Sequence, residues 1–269
     1  MWSVSYIFMY TAFYAALISK CFCQKKVTAT FTDPSTGITF ERFFGAKTSF
    51  SFGIALPETA NNSFIGQLTF PLNDGAGWGG WSLTDDMEGP LLMAAWADGG
   101  KVVSSFRQAF NEDDNPPEVT GNFRARPIAA GTSANSSFLT YTFLCEGCLD
   151  DALGLGTAAT SGTVKMGWAL GSEKVGNPAS PAAILNFHNR GFGGFQARLA
   201  QAKNGKFDEW AAMAGAPLAP ATNASPITSK KKKNKGNKGN KGNKGNKGNK
   251  GNKGEGAGNA SDDDSDDDD

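Results

Sequence analysis

Apolar and polar residues alternate in short runs along most of the chain, and turn residues separate the runs. Eight runs are rich in β-branched and aromatic residues, and in order they are VTATFTD, ITFERFF, SFSFGIAL, FIGQLTF, LLMAAWAD, KVVSSFRQAF, FLTYTFLC and VKMGWAL. Clusters of Gly, Pro, Asn and Asp, such as DPSTG and DNPPE, lie between them. Runs of this length, with no helical pattern between them, predict an all-β fold, an antiparallel β-sandwich.

Two segments depart from this pattern. Residues 195–215, FQARLAQAKNGKFDEWAAMAG, have apolar residues at helical spacing and predict a short C-terminal helical segment that Gly205 interrupts. Residues 78–92, WGGWSLTDDMEGPLL, combine glycines with acidic residues, so we interpret them as a polar loop. The globular domain is predicted to span residues 24–213.

The first 23 residues, MWSVSYIFMYTAFYAALISKCFC, contain an apolar stretch that ends at Lys20. We interpret them as a secretory signal peptide, with Cys21 and Cys23 at the small-residue positions before the cleavage site. A membrane anchor is the alternative, but the stretch is shorter than the roughly 20 residues that a bilayer requires, so no transmembrane span is predicted. The predicted localisation is extracellular. The sequence also contains N-x-S/T sequons, which are typical of a secreted glycoprotein, at Asn61, Asn135, Asn223 and Asn259.

The composition changes after the globular domain. Residues 214–229 are rich in Pro, Thr, Ser and Ala and predict a linker. Residues 230–254 contain KKKK and seven NKG triplets, and residues 255–269 end in SDDDSDDDD, so we predict a disordered cationic tether followed by a disordered acidic tail. Two roles stay open for the tether: binding to an anionic cell-wall polymer, or a solvated spacer. Nucleic acid is not an expected partner of a secreted chain.

Cys145 and Cys148 are the two cysteines that remain after the predicted signal peptide. In an oxidising compartment this pair predicts a local disulfide. A thioredoxin-like redox pair would need a surrounding βαβ pattern, which the sequence does not have. A zinc site would need a second Cys pair or more histidines.

Histidine chemistry is limited by composition, because His188 is the one histidine among 269 residues. A copper site built from two histidines is therefore excluded, and neither a G-x-S-x-G elbow nor an H-E-x-x-H helix occurs. The GLGTAA run at residues 154–159 lacks the strand and helix of a dinucleotide fingerprint and predicts a turn. The acidic pairs at residues 85–86 and 113–114 are interpreted as solvated turns.

Met87 has an unusual setting among the methionines. Met93 and Met166 lie inside apolar runs and are predicted core residues, whereas Met87 lies in TDDMEGPLL, where a thioether gains little by packing. Ligation of a metal or cofactor is the chemistry that remains for Met87 and His188. Composition alone does not decide whether either residue is a ligand.

The stretch WGGWSLTDDMEGPLLMAAWADGGKVVSSFR, residues 78–107, resembles the methionine-ligand region of the cytochrome domains of fungal cellobiose dehydrogenase. FTDPSTGITF, FLCEGC and HNRGFGGF also resemble that family, so the resemblance covers residues 31–195. It implies an immunoglobulin-like, DOMON-like sandwich that binds one haem b. The implied axial iron ligands are Met87 and His188, and the other implied haem contacts are Trp78, Trp81, Phe187, Phe192 and Arg190.

The chain departs from that family in two respects. The family has a propionate-binding tyrosine shortly after V-S-S-x-R, whereas this chain has QAFNEDDNPPE there, which leaves Arg190 or Arg107 as substitutes. No large flavin domain follows, so the chain resembles a stand-alone cytochrome of the iron-reductase type. The resemblance then implies a secreted flavin dehydrogenase or a small reductant as electron donor. The implied acceptors are a copper polysaccharide monooxygenase, Fe(III) or a quinone.

A haem iron with both Met and His as axial ligands has no open coordination position, so the predicted function is single-electron transfer rather than self-contained catalysis. Two other functions stay open at this stage. One is a haem-free DOMON-type sandwich that binds a sugar or another small ligand. The other is a wall-associated structural protein in which the lysine-rich tether is the functional part.

Overall fold

The computed structural model describes residues 26–228. Within this range the chain forms fifteen β-strands, four short 3-10 turns and one α-helix, α1 at Phe207–Ala211. The strands are β1 Ala29–Thr32, β2 Thr39–Gly45, β3 Phe50–Pro57, β4 Phe64–Pro71, β5 Trp78–Ser82, β6 Leu92–Asp98, β7 Lys101–Arg107, β8 Val119–Thr120, β9 Arg124–Pro127, β10 Ser133–Ala134, β11 Phe138–Glu146, β12 Thr163–Gly171, β13 Gly191–Arg198, β14 Lys203–Asn204 and β15 Ser225–Pro226.

Most of the strands belong to two antiparallel sheets that pack face to face. The larger sheet has the order β1-β2-β3-β4-β11-β10, with β9 paired to β11, and the short β14 pairs with β3 in parallel. The smaller sheet has the order β13-β12-β5-β6-β7. A separate parallel pair joins β15 to β8. The predicted all-β sandwich is confirmed.

Aromatic side chains fill the space between the two sheets. Trp81 of the smaller sheet stacks on Phe52 at a centroid distance of 5.2 Å and on Phe143 at 6.2 Å, both from the larger sheet. Phe195 stacks on Phe43 at 4.7 Å in the same way. Burying one such side chain stabilises the fold by about 1.5–3 kcal/mol, so this layer is the main source of stability.

The two outer faces of the sandwich are covered differently. The larger sheet is covered by α1, whose Phe207 and Trp210 pack with Ile38 and Ile65 in a second apolar cluster. The smaller sheet is covered by residues 172–190, and here Trp78 and Trp96 of the sheet pack with residues such as Val175 and Leu185 in a third cluster. We call residues 172–190 the His188 loop.

All eight strand predictions match strands of the structure, but two other predictions are wrong. Residues 78–82 form β5 rather than a loop, and the loop occupies residues 83–91, which we call the Met87 loop. Residues 195–198 belong to β13 rather than to a helix, because Phe195 and Ala197 alternate into the core. The helical part of that segment is limited to α1.

Cys145 and Cys148 form the predicted disulfide. Residues 154–159, predicted as a turn, lie between and within 3-10 turns. No helix within residues 26–228 is long and apolar enough to cross a membrane. The predicted signal peptide, tether and acidic tail lie outside the described residues.

The segment that composition assigns to a linker makes regular contacts with the sandwich. We call its residues 216–228 the C-terminal strap. Ser225 and Pro226 form β15 beside β8, and the backbone N–H of Ile227 donates to the carbonyl oxygen of Thr120 at 2.8 Å. The N–H of Ala221 donates to the carboxylate of Glu118 at 3.3 Å. These bonds hold the C-terminal strap against β8 and Glu118, and Glu118 in turn bridges to Arg107 at the end of β7.

Candidate functional site

A cavity of about 500 Å³ lies on the outer face of the smaller sheet. Its lining includes the floor strands β5, β6 and β12, together with parts of the Met87 loop and the His188 loop. This volume is within the range of small-molecule and cofactor sites in proteins. The cavity is therefore the candidate functional site.

Small side chains keep the floor of the cavity flat. Ala169 on β12, Gly80 on β5 and Ala94 on β6 lie in register across three neighbouring strands, and Gly167 and Ser82 form a parallel row beside them. A Cβ atom added at Gly80 would lie 2.9 Å from the carbonyl oxygen of Met93, so backbone packing keeps larger residues out of this position. A flat floor at backbone level suits a planar ligand.

Gly79 has a different role from Gly80. Successive residues of a strand face opposite sides of the sheet, and a Cβ atom at Gly79 would lie 2.5 Å from the ring of Phe70, inside the core. The sequence pattern WGGW contains one glycine for the cavity and one for the core. Only the register of β5 distinguishes them.

Two tryptophan side chains fix the His188 loop above the sheet. The indole N–H of Trp78 donates to the carbonyl oxygen of Asn186 at 3.0 Å, and that of Trp96 donates to Pro178 at 2.7 Å. The amide of Asn186 donates to the carbonyl oxygen of Lys174 at 2.7 Å. The loop has little regular secondary structure, so these bonds satisfy carbonyl groups that would otherwise lie against an apolar face.

Arg107 is a third anchor for the same loop. Its guanidinium group is 1% exposed and donates to the carbonyl oxygens of Pro181 at 2.7 Å, Ala183 at 2.9 Å and Pro116 at 2.9 Å. Desolvation by burial lowers the pKa of Arg107 to about 10, against the opposing effect of the charge on Glu118. Arg107 thus stays cationic at neutral pH, with most of its donors bonded to loop carbonyls.

His188 lies at the wall of the cavity between two aromatic side chains. Its ring centroid is 4.3 Å from that of Phe187 and 4.3 Å from that of Phe192. Its Nδ1 atom is buried and has no hydrogen-bond partner among the described residues. Burial lowers the pKa of His188 below its ordinary value of 6.5, and the charge of Glu112 opposes this effect. A neutral imidazole with a buried, unpaired nitrogen is a suitable metal ligand.

Met87 is half-buried in the Met87 loop and lines the same cavity. The loop is held on both sides of this residue. The hydroxyl groups of Ser82 and Thr84 donate to the carbonyl oxygen of Asp86, each at 3.3 Å. The N–H of Gly89 donates to the carbonyl oxygen of Ala109 at 3.1 Å. Short bonded turns therefore place a thioether beside an apolar floor.

The structure brings most of the predicted site residues together. Six of them line the cavity: Met87, His188, Trp78, Trp81, Phe187 and Phe192. Trp81 contributes to the lining although its ring packs mainly between the sheets, whereas Phe187 and Phe192 are 66% and 63% exposed at the rim. Arg190 is exposed and is not part of the lining.

The acidic pairs that are predicted as solvated turns meet at the cavity rim. Asp85 and Asp86 from the Met87 loop and residues 112–114 all line the cavity, although their sequence resembles solvated turns. Asp85 pairs with Lys165 at 2.6 Å, and the hydrogen bond from this lysine lowers the pKa of Asp85. No pattern in the sequence indicates that two distant acidic turns meet at one rim.

The nitrogen and sulfur atoms at the cavity limit the kinds of ligand that it can bind. Among residues 26–228 no group of three or more His, Cys, Asp or Glu side chains could hold a metal ion. One imidazole and one thioether beside a flat apolar floor are the donor types that the cavity lining offers to a ligand. This donor pair is known for haem iron in electron-transfer proteins.

Comparison with protein families decides the class of the protein. The sequence profile of the cytochrome domain of cellobiose dehydrogenase matches residues 31–209. The chain belongs to this family. The resemblance seen in the sequence is thereby confirmed, and the protein is a cytochrome domain of a type that implies electron transfer.

Solved structures agree with this assignment. The cytochrome domain of Myriococcum thermophilum cellobiose dehydrogenase is 31% identical, with a TM-score of 0.65 over 72% of this chain and 100% of that chain. The cytochrome b domain of pyranose dehydrogenase from Coprinopsis cinerea is 26% identical, with a TM-score of 0.61 over 75% of this chain and 99% of that chain.

A curated relative is much longer than the matched region. The pyrroloquinoline quinone-dependent pyranose dehydrogenase of Coprinopsis cinerea is 32% identical over 163 residues, which are 58% of this chain. The match covers 22% of the length of that enzyme. The similarity therefore concerns a cytochrome domain and not the whole enzyme.

Proposed function

We propose that the protein is an electron-transfer cytochrome that binds one haem b in the cavity, with Met87 and His188 as the axial ligands of the iron. The observation that carries this proposal is the cavity itself. It combines a floor of small residues, a half-buried thioether and the unpaired Nδ1 atom of His188. Haem b, when bound, accepts and releases a single electron without a change in the protein's covalent structure.

The protein's own residues keep His188 in the protonation state and the position that metal binding requires. Burial keeps His188 neutral near pH 7, so the imidazole does not have to lose a proton before it binds a metal. Trp78, Trp96 and Arg107 hold the His188 loop in place, which limits the ordering that ligand binding would otherwise require. With Met87 and His188 both bound to the iron, a haem would have no open coordination position, and the site would favour electron transfer over chemistry at the iron.

The residues that bind the haem propionates remain a prediction. Arg107 already donates to four oxygen atoms of the protein, which leaves one of its five N–H groups for a ligand. Arg190 is exposed two residues after His188, and its charge is available to an anionic group. Arg190 is therefore the preferred of the two substitutes.

Dehydrogenases are the proposed electron donors. The relatives are cytochrome domains of cellobiose dehydrogenase and pyranose dehydrogenase, which supports a secreted flavin or quinone dehydrogenase, or a small reductant, as the source of electrons. The proposed acceptors are a copper polysaccharide monooxygenase, Fe(III) or a quinone. Cationic acceptors would be attracted by the acidic rim residues, which include Asp86 and Asp113.

We also propose that the protein is secreted and glycosylated, and that the lysine-rich residues 230–254 either bind an anionic cell-wall polymer or act as a solvated spacer. The sequons at Asn61, Asn135 and Asn223 are exposed, as oligosaccharide attachment requires. Mass spectrometry of protein from its native host, before and after removal of N-glycans, measures both cleavage after residue 23 and glycosylation.

The haem assignment is tested by absorption spectra of the oxidised and reduced protein. We expect low-spin haem bands that shift on reduction. His188→Ala should abolish stable haem binding, and Met87→Ala should retain haem in a form that is no longer six-coordinate. Met213→Ala, at a methionine that is 39% exposed, is the matched control and should leave the spectra unchanged.

A colourless full-length protein that fails to bind added haem would contradict the proposal. Measurable affinity of that colourless protein for oligosaccharides would then support the haem-free DOMON alternative. Full colour in His188→Ala would contradict the ligand assignment while leaving haem binding intact.

A further inference from the structure

The end of β7 contacts both loops that carry the proposed ligands. Arg107 and Gln108 follow one another in the chain, and each is 1% exposed. Arg107 donates to Ala183, five residues before His188. Gln108 donates through Nε2 to the carbonyl oxygen of Gly89 at 2.9 Å, two residues after Met87. Two consecutive residues, the last of β7 and the one after it, thus contact both ligand loops.

Gln108 also contacts the end of the C-terminal strap. Its Nε2 atom donates to the carbonyl oxygen of Thr228 at 2.8 Å. Its Oε1 atom accepts from the backbone N–H of Thr228 at 3.0 Å and from the hydroxyl of Thr228 at 3.1 Å. A glutamine side chain has two donor and two acceptor positions, and all four are used here.

This arrangement makes the amide of Gln108 a bridge between two segments that are far apart in the chain. The Met87 loop supplies one acceptor, and the C-terminal strap supplies the other three contacts. Without the strap, a buried amide would keep one partner and lose three, which is costly because unpaired buried polar groups are destabilising. The side chain would then have to rotate or the loop to open.

The C-terminal strap lies beyond the family match, which ends at residue 209. Its contacts with Glu118, Thr120 and Gln108 therefore lie outside the region that the family profile matches. A segment kept in place by backbone bonds at three points can fix a neighbouring loop.

We propose that Gln108 is a positioning residue that couples the C-terminal strap to the Met87 loop and so keeps Met87 at the cavity. This inference rests on the proposed function, because it assigns Met87 to the haem iron. It adds that residues 216–228 take part in the site, and that the methionine side of the haem depends on them. Gln108 itself does not touch the ligand in this role.

Two variants of the full-length protein test the coupling from either side. Gln108→Leu removes the amide and keeps the volume similar. Thr228→Pro removes the backbone N–H and the hydroxyl that bond to Oε1, and because Thr228 is exposed this variant does not depend on refilling a buried site. Gln67→Leu is the matched control, since Gln67 is 4% exposed and its amide donates to Thr142 at 3.0 Å in the larger sheet.

The first readout is carbon monoxide binding to the reduced protein, which requires release of an axial ligand. We expect binding about tenfold faster in Gln108→Leu and severalfold faster in Thr228→Pro, since a lost net contribution of about 1.4 kcal/mol corresponds to a factor of ten. Gln67→Leu should stay within about twofold of the unaltered protein. The double variant should be no faster than Gln108→Leu, because both changes break the same contact.

The second readout does not need haem. The N–H of Gly89 is bonded to Ala109, so its hydrogen exchange, measured by NMR, reports opening of the Met87 loop. We expect faster exchange at Gly89 in Gln108→Leu and Thr228→Pro than in Gln67→Leu.

Equal carbon monoxide rates and equal Gly89 exchange in Gln108→Leu and Gln67→Leu would overturn the inference while the haem assignment stood. Absence of haem from the unaltered protein would overturn the proposed function. Exchange at Gly89 would then still decide whether the strap holds the loop.

Discussion

The two faces of the smaller sheet are built from the same strands and differ in almost every other respect. The inner face carries large aromatic side chains such as Trp81 and Phe195, which are at most 2% exposed. The outer face carries Gly80, Ala94 and Ala169 where the cavity lies, and it is covered by loops rather than by a second sheet.

Different interactions stabilise these two faces. The inner face is stabilised by burial of apolar area, which needs volume and shape but few directed bonds. The outer face is closed by side-chain donors, namely the indoles of Trp78 and Trp96 and the guanidinium of Arg107, which bond to loop carbonyls. A protein that must leave room for a ligand cannot fill the cavity with side chains. Hydrogen bonds to the covering loop fix the position of the cavity walls instead.

The largest expected effect comes from breaking the packing between the inner face and the larger sheet. Phe143 is fully buried and stacks between Trp81 and Tyr141, so Phe143→Ala should lower the free energy of unfolding by about 3–5 kcal/mol. Denaturant unfolding of the two proteins measures the difference. Phe138→Ala, on the same strand at a residue that is 44% exposed, should cost less than about 1 kcal/mol. Similar losses in both variants would contradict the conclusion that burial between the two sheets is the main source of stability.

Breaking the outer face should lower the free energy of unfolding by less, but it should loosen the loops around the cavity more. Trp78→Phe removes the indole bond to Asn186, so the free energy of unfolding should fall by about 1 kcal/mol, while hydrogen exchange in the His188 loop rises. Trp210→Phe, at a buried tryptophan on α1, is the control. An unchanged His188 loop in Trp78→Phe would show that apolar packing alone holds it.

The smallest expected effect is a pH dependence of the haem-free protein. The pKa of His188 is lowered by burial, so below pH 6.5 the unfolded chain binds a proton that the folded chain does not yet bind. The contribution of His188 to the free energy of unfolding should therefore be fully present above pH 6.5. It should fall as the pH drops toward the folded pKa, by at most about 1.4 kcal/mol per pH unit for one group.

The one histidine makes this effect separable from the others. Carboxylates also titrate in acid, but they contribute equally to the unaltered protein and to His188→Gln. The difference between the two stability curves between pH 4 and pH 7.5 should slope only in its acid part. A difference in unfolding free energy that does not change with pH would show that His188 is as solvated in the folded protein as in the unfolded chain.

Two errors of the sequence predictions have separate physical origins. Trp78 and Trp81 lie on β5, which was taken for a loop because its glycines weaken the strand signal; those glycines are there for close packing. Residues 195–198 are predicted as part of a helical segment, although Phe195 and Ala197 alternate into the core as a strand does. Four-residue spacing is shared by both periodicities, so short segments cannot be separated by pattern alone.

The sequence by itself determined the sandwich, the local disulfide and the restriction of histidine chemistry to His188, because alternation, cysteine spacing and residue counts are local or additive properties. Only the tertiary structure decided that Met87 and His188, 101 positions apart, line one cavity, and that Thr228 reaches Gln108. Contacts between distant residues depend on strand order and register. No local pattern encodes these, because they follow from how the two sheets close around a shared core.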